Sequence, residues 1–333
     1  KSFEEFKSIG IEVQEIERIL AQNLREFLGQ NYSSQCSIRP TEFIGGAWNN
    51  HFHGEASIKA LFEVLKTEPT LILETAIESS YIIFRLGYWG GQQKQYCYET
   101  LLKLPYRSLL ETSITARALR WKETRDKLLA FGKSPEEVAK LGGDNEVNLA
   151  IIEELDELKA AGFVTEELSF TYQVNHQDFA YICQFSSICQ CLVAGWVTDI
   201  HYLIENNLAP HLPEWLPQLL GGSGDESEFL PSIINASISI YQRVLQVLVS
   251  ERSHCIPQLS LKLAHSLFPL DISLAKEQIE YSWQHWLQHL QLSPASVSGG
   301  LDLDKIQTTI TAKDWEYLVN LQACLSLLDD QSS

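Results

Sequence analysis

Residues 69–88, PTLILETAIESSYIIFRLGY, decide how the chain is read. At 100° per residue Leu71, Ile72, Leu73, Ala76, Ile77, Ile82, Ile83, Phe84 and Leu86 wrap the stretch on nearly every side. Only one strip is polar: Glu74, Glu78, Tyr81 and Arg85 fall within about 60° of one another on the wheel. This predicts an interior helix over 69–88, and charges on an interior helix must meet partners, a cleft or a bound ion. Glu74 and Glu78, one turn apart, repel even on an exposed helix by about 0.2–0.5 kcal/mol. In apolar surroundings one of them stays protonated unless Arg85 or a cation compensates. The strip therefore reads either as a buried ion-pair network or as a site for metal or acid–base chemistry. Tyr88 and Trp89 continue it, followed by Tyr96, Tyr98 and Tyr106; such rings with polar tips suit a partly wet pocket or a partner surface.

Outward from this segment, helix signals dominate. Ser134-Pro135-Glu136-Glu137 combines a hydroxyl cap, a proline at the first helical position and a glutamate placed to reach back to the cap's amide. Glycine pairs at 45–46, 90–91, 142–143, 221–222 and 299–300 mark stops, because glycine ends a helix in the left-handed region without steric cost. Their uneven spacing argues against a repeat solenoid. These signals predict helices over 11–29, 55–66, 69–88, 92–103, 106–131, 135–140, 145–161, 176–206, 213–220, 228–252, 257–267, 272–292, 302–309 and 312–328. Only Phe170-Thr171-Tyr172-Gln173-Val174 alternates like a strand. The fold expected is all-α, an irregular antiparallel multi-helix bundle. Residues 1–220 form its main part and 229–333 its C-terminal helices, packed in the same bundle or as a second helical subdomain. The small, acidic run 221–228 serves as linker or loop between them.

Composition narrows the classes. The chain has 333 residues and carries 43 acidic against 25 basic side chains, a formal charge of -18. Such a field repels phosphate backbones, so nucleic acid is a poor partner unless Arg107, Arg117, Arg120, Lys122 and Arg125 assemble a cationic patch. Seven scattered cysteines with no CxxC pair suggest reduced thiols and a cytoplasmic setting. Lys1–Gly10 carries charges where a secretory h-region would be apolar, and the longest apolar runs are interrupted by ionisable residues, so no membrane span is expected.

Three clusters could carry chemistry. In Asn50-His51-Phe52-His53-Gly54-Glu55, His51 and His53 alternate in extended backbone and point the same way, while Glu55 suits a helix start. Two imidazoles and a carboxylate make half a site for iron, manganese or zinc; exposed loop histidines are the plainer reading. Asp199, His201 and Glu205 lie within two turns, the last two four residues apart on one face, as two ligands or as a helical hydrogen-bonded pair. His285 and His289 have a chelating spacing but share their sector with Gln278 and Ser282 on a solvated face. The Glu-x-x-His pair of carboxylate-bridged bundles occurs once, as Glu251–His254, beside Pro257. No phosphate loop, dinucleotide fingerprint or nucleophile elbow is present. The expectation is non-catalytic recognition of a protein or small ligand in a cleft lined by 69–88, with Glu74, Glu78, Tyr81, Arg85, Tyr88 and Trp89 as contacts. The alternative is a transition-metal-dependent helical-bundle enzyme with His51, His53, Glu55, Glu74, Glu78, Asp199, His201 and Glu205 as its ligand pool.

Overall fold

A computed structural model describes residues 13–32, 38–42, 54–78, 81–90, 95–165, 171–206, 256–268, 272–289 and 312–331, with Phe6, Gly10, Leu208, His211, Leu212, Glu214, Trp215 and Ser239. The expected helix 302–309, all but Ser239 of 228–252, nearly all of 213–220 and the linker 221–228 lie outside the described residues. The described chain is mostly helical, as its periodicity predicts, but it is not all-α: it also contains a small three-stranded antiparallel sheet.

That sheet is built from the stretch read as a helix. Residues 69–88 form two strands, β1 (Thr70–Glu78) and β2 (Tyr81–Trp89), and β3 (Cys97–Pro105) stands in place of the helix expected over 92–103. β2 is the central strand, hydrogen-bonded to β1 and β3. Its position explains the misreading. Ile82, Ile83, Phe84, Leu86, Tyr88 and Trp89 are all buried, so both strand faces are covered and the polar/apolar alternation that marks a half-exposed strand is lost. A continuous apolar run is compatible with a buried helix or a buried strand. Side-chain shape separates the two: Thr70, Ile72, Thr75, Ile77, Ile82 and Ile83 are β-branched, a density that favours the pleated form.

The strand signal at 170–174 errs in the opposite sense. Residues 171–175 have no regular structure, because a side chain occupies the backbone groups a neighbouring strand would take. The Gln173 amide donates to Asn148 Oδ1 at 2.8 Å, and the Gln173 carbonyl accepts from Asn148 Nδ2 at 2.8 Å.

The helices are α1 (Val13–Asn31), α2 (Glu55–Leu65), α3 (Tyr106–Ala130), α4 (Pro135–Gly142), α5 (Asp144–Ala160), α6 (His176–Asn206), α7 (Ile256–Leu267), α8 (Ile272–His289) and α9 (Ala312–Gln331). Backbone packing divides the chain into two compact units, the first comprising residues 1–64, 72–88 and 98–191 and the second residues 65–71, 89–97 and 192–333.

In the first unit α2 lies close to the sheet: a Cβ added at Gly87 of β2 would come within 2.9 Å of Ile58 Cδ1, so the absent side chain is what admits the helix. Phe6 packs edge-on against Tyr106 and Phe179, and Asn23 of α1 donates to Ser187 of α6 at 2.8 Å. The capping box at Ser134 forms as read, with Pro135 opening α4. At its other end α4 meets α3, where a Cβ on Gly142 would lie 2.6 Å from the Trp121 ring.

The second unit contains the C-terminal part of α6 and the helices α7, α8 and α9. Leu261, Ala264, Ile279 and Leu321 form a core flanked by Trp283 and Tyr317. Ser282 Oγ donates to the Pro257 carbonyl at 2.6 Å, and the Tyr317 hydroxyl donates to the same oxygen. Gly195 of α6 leaves room for the fully buried Leu212. Helix α6 is the one segment among the described residues long and apolar enough to cross a membrane, but 89% of that window is buried within the protein, as in a core helix.

Candidate functional site

The polar residues of 69–88 meet across the hairpin rather than along a helix. Only Ser79 and Ser80 separate β1 from β2, so counting back from that connection sets Glu74 opposite Arg85. On a helix the same two residues, eleven apart, would be separated by about 16 Å. Here Arg85 Nη1 donates to Glu74 Oε1 at 2.9 Å. The other carboxylate oxygen accepts from the Tyr98 hydroxyl of β3 at 2.8 Å and from the Gly54 backbone N–H at 3.2 Å. Gly54 precedes α2 and its carbonyl receives the helix's first hydrogen bonds from Ser57 and Ile58. Glu74 therefore places negative charge at the positive end of a helix while bridging all three strands. Burial and the Glu74 carboxylate together push the Tyr98 phenol up to about 12, which keeps it a donor at neutral pH.

This arrangement is a brace, with each charge answered by a partner. Its surroundings separate the other expected contacts. Trp89 is buried, its indole N–H donating to the Leu65 carbonyl at 3.1 Å, and Tyr88 is buried too. Tyr81 at the start of β2 is 38% exposed, and Lys103 of β3 sets its ammonium 4.2 Å from the ring centroid. Glu78 closes β1, but its side chain lies outside the described residues. The helix beside which a cleft was expected is replaced by the strands β1 and β2.

His51 and His53 lie outside the described residues, and Glu55 is exposed at the first position of α2. Among the described residues, the second expected cluster does not gather three metal-ligating side chains. Asp199 is fully buried and its Oδ2 accepts from the backbone N–H groups of His211 and Leu212 at 2.7 and 2.6 Å, which fixes the segment entering at 211. His201 stacks edge-on against Tyr202; burial lowers its pKa and Glu205 opposes that shift. Among the described residues no three His, Cys, Asp or Glu side chains come close enough together to hold a metal ion.

The buried ionic centre that the sequence did not disclose lies between α3, α5 and α6. Asp178 is fully buried and Arg117 nearly so. Arg117 Nη2 donates to Asp178 Oδ2 at 2.8 Å and to the Gln173 carbonyl at 3.1 Å, while Nη1 donates to Asn145 Oδ1. Ser113 Oγ donates to Asp178 Oδ1 at 2.7 Å and the Asn175 amide to Oδ2 at 2.9 Å. The available signal was Asp178 in the first turn of α6, three residues after the cap Asn175, at the mouth of a helix too apolar to leave a carboxylate unpaired. Of the five basic residues considered as a cationic patch, Arg107 and Arg120 are exposed and the other three are paired within the chain. Arg117 points inward, and Arg125 and Lys122 both pair with Glu153, at 2.9 and 3.1 Å. Hydrogen bonding from Arg125 holds the Glu153 carboxyl below its ordinary pKa, and Glu153 in turn raises Arg125.

No family model, no curated protein and no solved structure matches this chain.

Proposed function

We propose that this chain is a non-catalytic recognition protein that binds a protein partner or a small ligand on the braced sheet β1–β3. The observation carrying this reading is the commitment of the Glu74 carboxylate to Arg85, Tyr98 and the Gly54 amide. A carboxylate accepting three such bonds holds elements in place and has little capacity left for proton transfer or metal ligation. The brace makes the sheet a rigid platform, and Tyr81 with Lys103 offers an aromatic and a cation at its exposed margin. Arg117, Lys122 and Arg125 are neutralised by their own chain, which favours a protein or small molecule over nucleic acid. A reducing, cytoplasmic setting accords with Cys97, Cys183, Cys189, Cys191 and Cys324 all being free thiols.

The test compares the 333-residue chain with a Tyr81→Ala/Lys103→Ala variant and with Glu74→Gln. A crosslinked partner or ligand captured by the wild type is lost from the first variant, whose melting temperature is unchanged, whereas Glu74→Gln lowers the melting temperature. The reading is overturned if protein purified without chelator holds a stoichiometric transition metal, or if Glu74→Gln abolishes a measured turnover while folding and partner binding persist. Either result would establish the metal-enzyme alternative or another catalytic role in its place.

A further inference from the structure

The second unit sets a thiol against an imidazole. His265 stands in the last turn of α7 and Cys324 on α9, 59 positions away. Packing fixes their register. Leu261 and Ala264 of α7, Ile279 of α8 and Leu321 of α9 form the core of this unit, and Cys324, one turn beyond Leu321, packs against it. Near the start of α7 the Pro257 carbonyl accepts from Tyr317 of α9. Tyr317 thus meets Pro257, and Cys324 meets His265, so residue number rises together on α7 and α9. The two steps, about 10.5 and 12 Å of helix rise, nearly match. Held in this way, His265 Nε2 lies 3.2 Å from Cys324 Sγ.

That separation is within hydrogen-bonding range for sulfur. With the ring in its Nδ1–H form, the thiol donates to Nε2. A nucleophile and a base within reach of each other are the geometry of an assisted attack. The surroundings suit that role. Burial raises the Cys324 thiol above its ordinary value, so little thiolate is present at neutral pH and the proton must leave as sulfur attacks. His265 is placed to take it. The C-terminal turn of α7 favours the imidazolium that results, because the peptide dipoles end there in partial negative charge. His265 is exposed and Cys324 half-buried, so a small reagent reaches the sulfur from solvent, whereas Cys183, Cys189 and Cys191 are buried.

Sulfur chemistry selects the reagent. A disulfide is a soft electrophile that carries its own leaving group and needs no further oxidant. Cys324 Sγ attacks one sulfur of a small disulfide while His265 Nε2 takes the thiol proton. The new S–S bond forms as the old one breaks, and the expelled thiolate recovers the proton from the imidazolium. One protein thiol and one small disulfide become one mixed disulfide and one small thiol, and the reverse exchange restores the starting state. We propose that Cys324, with His265 as its general base, is a site of reversible thiolation by low-molecular-weight disulfides.

Hydroxyethyl disulfide, small and uncharged, tests this on the 333-residue chain, with adducts located by peptide mass spectrometry. On the folded wild type Cys324 gains the adduct, dithiothreitol removes it, and Cys183, Cys189 and Cys191 stay unmodified. His265→Ala removes an exposed side chain, keeps the melting temperature and slows modification of Cys324 by about ten-fold or more. Free imidazole restores part of the rate in that variant, a recovery that a merely structural histidine would not allow. Tyr81→Ala/Lys103→Ala leaves the rate unchanged, so this site stands or falls independently of recognition by the sheet. The proposal is overturned if Cys324 of the folded wild type stays unmodified, if His265→Ala reacts at the wild-type rate, or if imidazole recovers none of the loss.

Discussion

Asp178 and Arg117 show what burial demands of a single charge. The carboxylate is fully enclosed and accepts from Ser113, Arg117 and the Asn175 amide. Removing one partner strands the other without water, which costs more than the pair itself contributes. Arg117→Met is expected to destabilise the protein by about 3–5 kcal/mol, seen as a lower midpoint in urea unfolding. Arg117→Met/Asp178→Leu should recover a large part of that loss, since no uncompensated charge remains. If the double variant is less stable than the single by the full value of a second deletion, the network is not coupled in this way. Arg117 and Asp178 are 61 positions apart, and no local periodicity links residues at that distance. Glu74 and Arg85 differ in this respect: once the structure makes 69–88 a hairpin, the two-residue connection sets them as a cross-strand pair.

The hairpin itself turns on how apolar residues are distributed over its two faces. β2 is buried on both sides, so its pattern lacks the alternation from which a strand is recognised. The helices were read with far less ambiguity. Their boundaries carry local chemistry, as in the Ser134 capping box. Packing of α2 on the sheet depends on Gly87, where an added Cβ would approach Ile58 Cδ1 to 2.9 Å. Gly87→Ala is expected to cost about 1–3 kcal/mol through overpacking. Ile58→Val introduced with it should restore part of the loss by withdrawing that methyl, a coupling measurable as non-additivity in a double-mutant cycle. Strict additivity of the two changes would mean that the helix and strand are not in close contact there.

Taken together, the described side chains are satisfied mainly from within, and the thiols report on that enclosure. Burial pushes the thiols of Cys183 and Cys191 on α6 up to about 12 and raises Cys189 as well, so all three are protonated and shielded at pH 8. Labelling by an aromatic disulfide reagent at that pH, read by mass spectrometry, is expected to leave these three unmodified in the native protein. They should react only as denaturant reaches the unfolding transition. Rapid labelling of Cys189 under native conditions would contradict the buried α6 core.

Helical content, most limits of the described helices, the α4 cap and the acidic field were determined by the amino-acid order alone, because each arises from neighbours within a few positions or from summed composition. Tertiary structure decided that 69–88 is a hairpin, that Glu74 braces three strands and the start of α2, and that Asp178 meets Arg117 inside the first unit. Those outcomes depend on which apolar face is covered from both sides and on which distant donor reaches a carboxylate, and such long-range pairings leave no periodic mark in the chain.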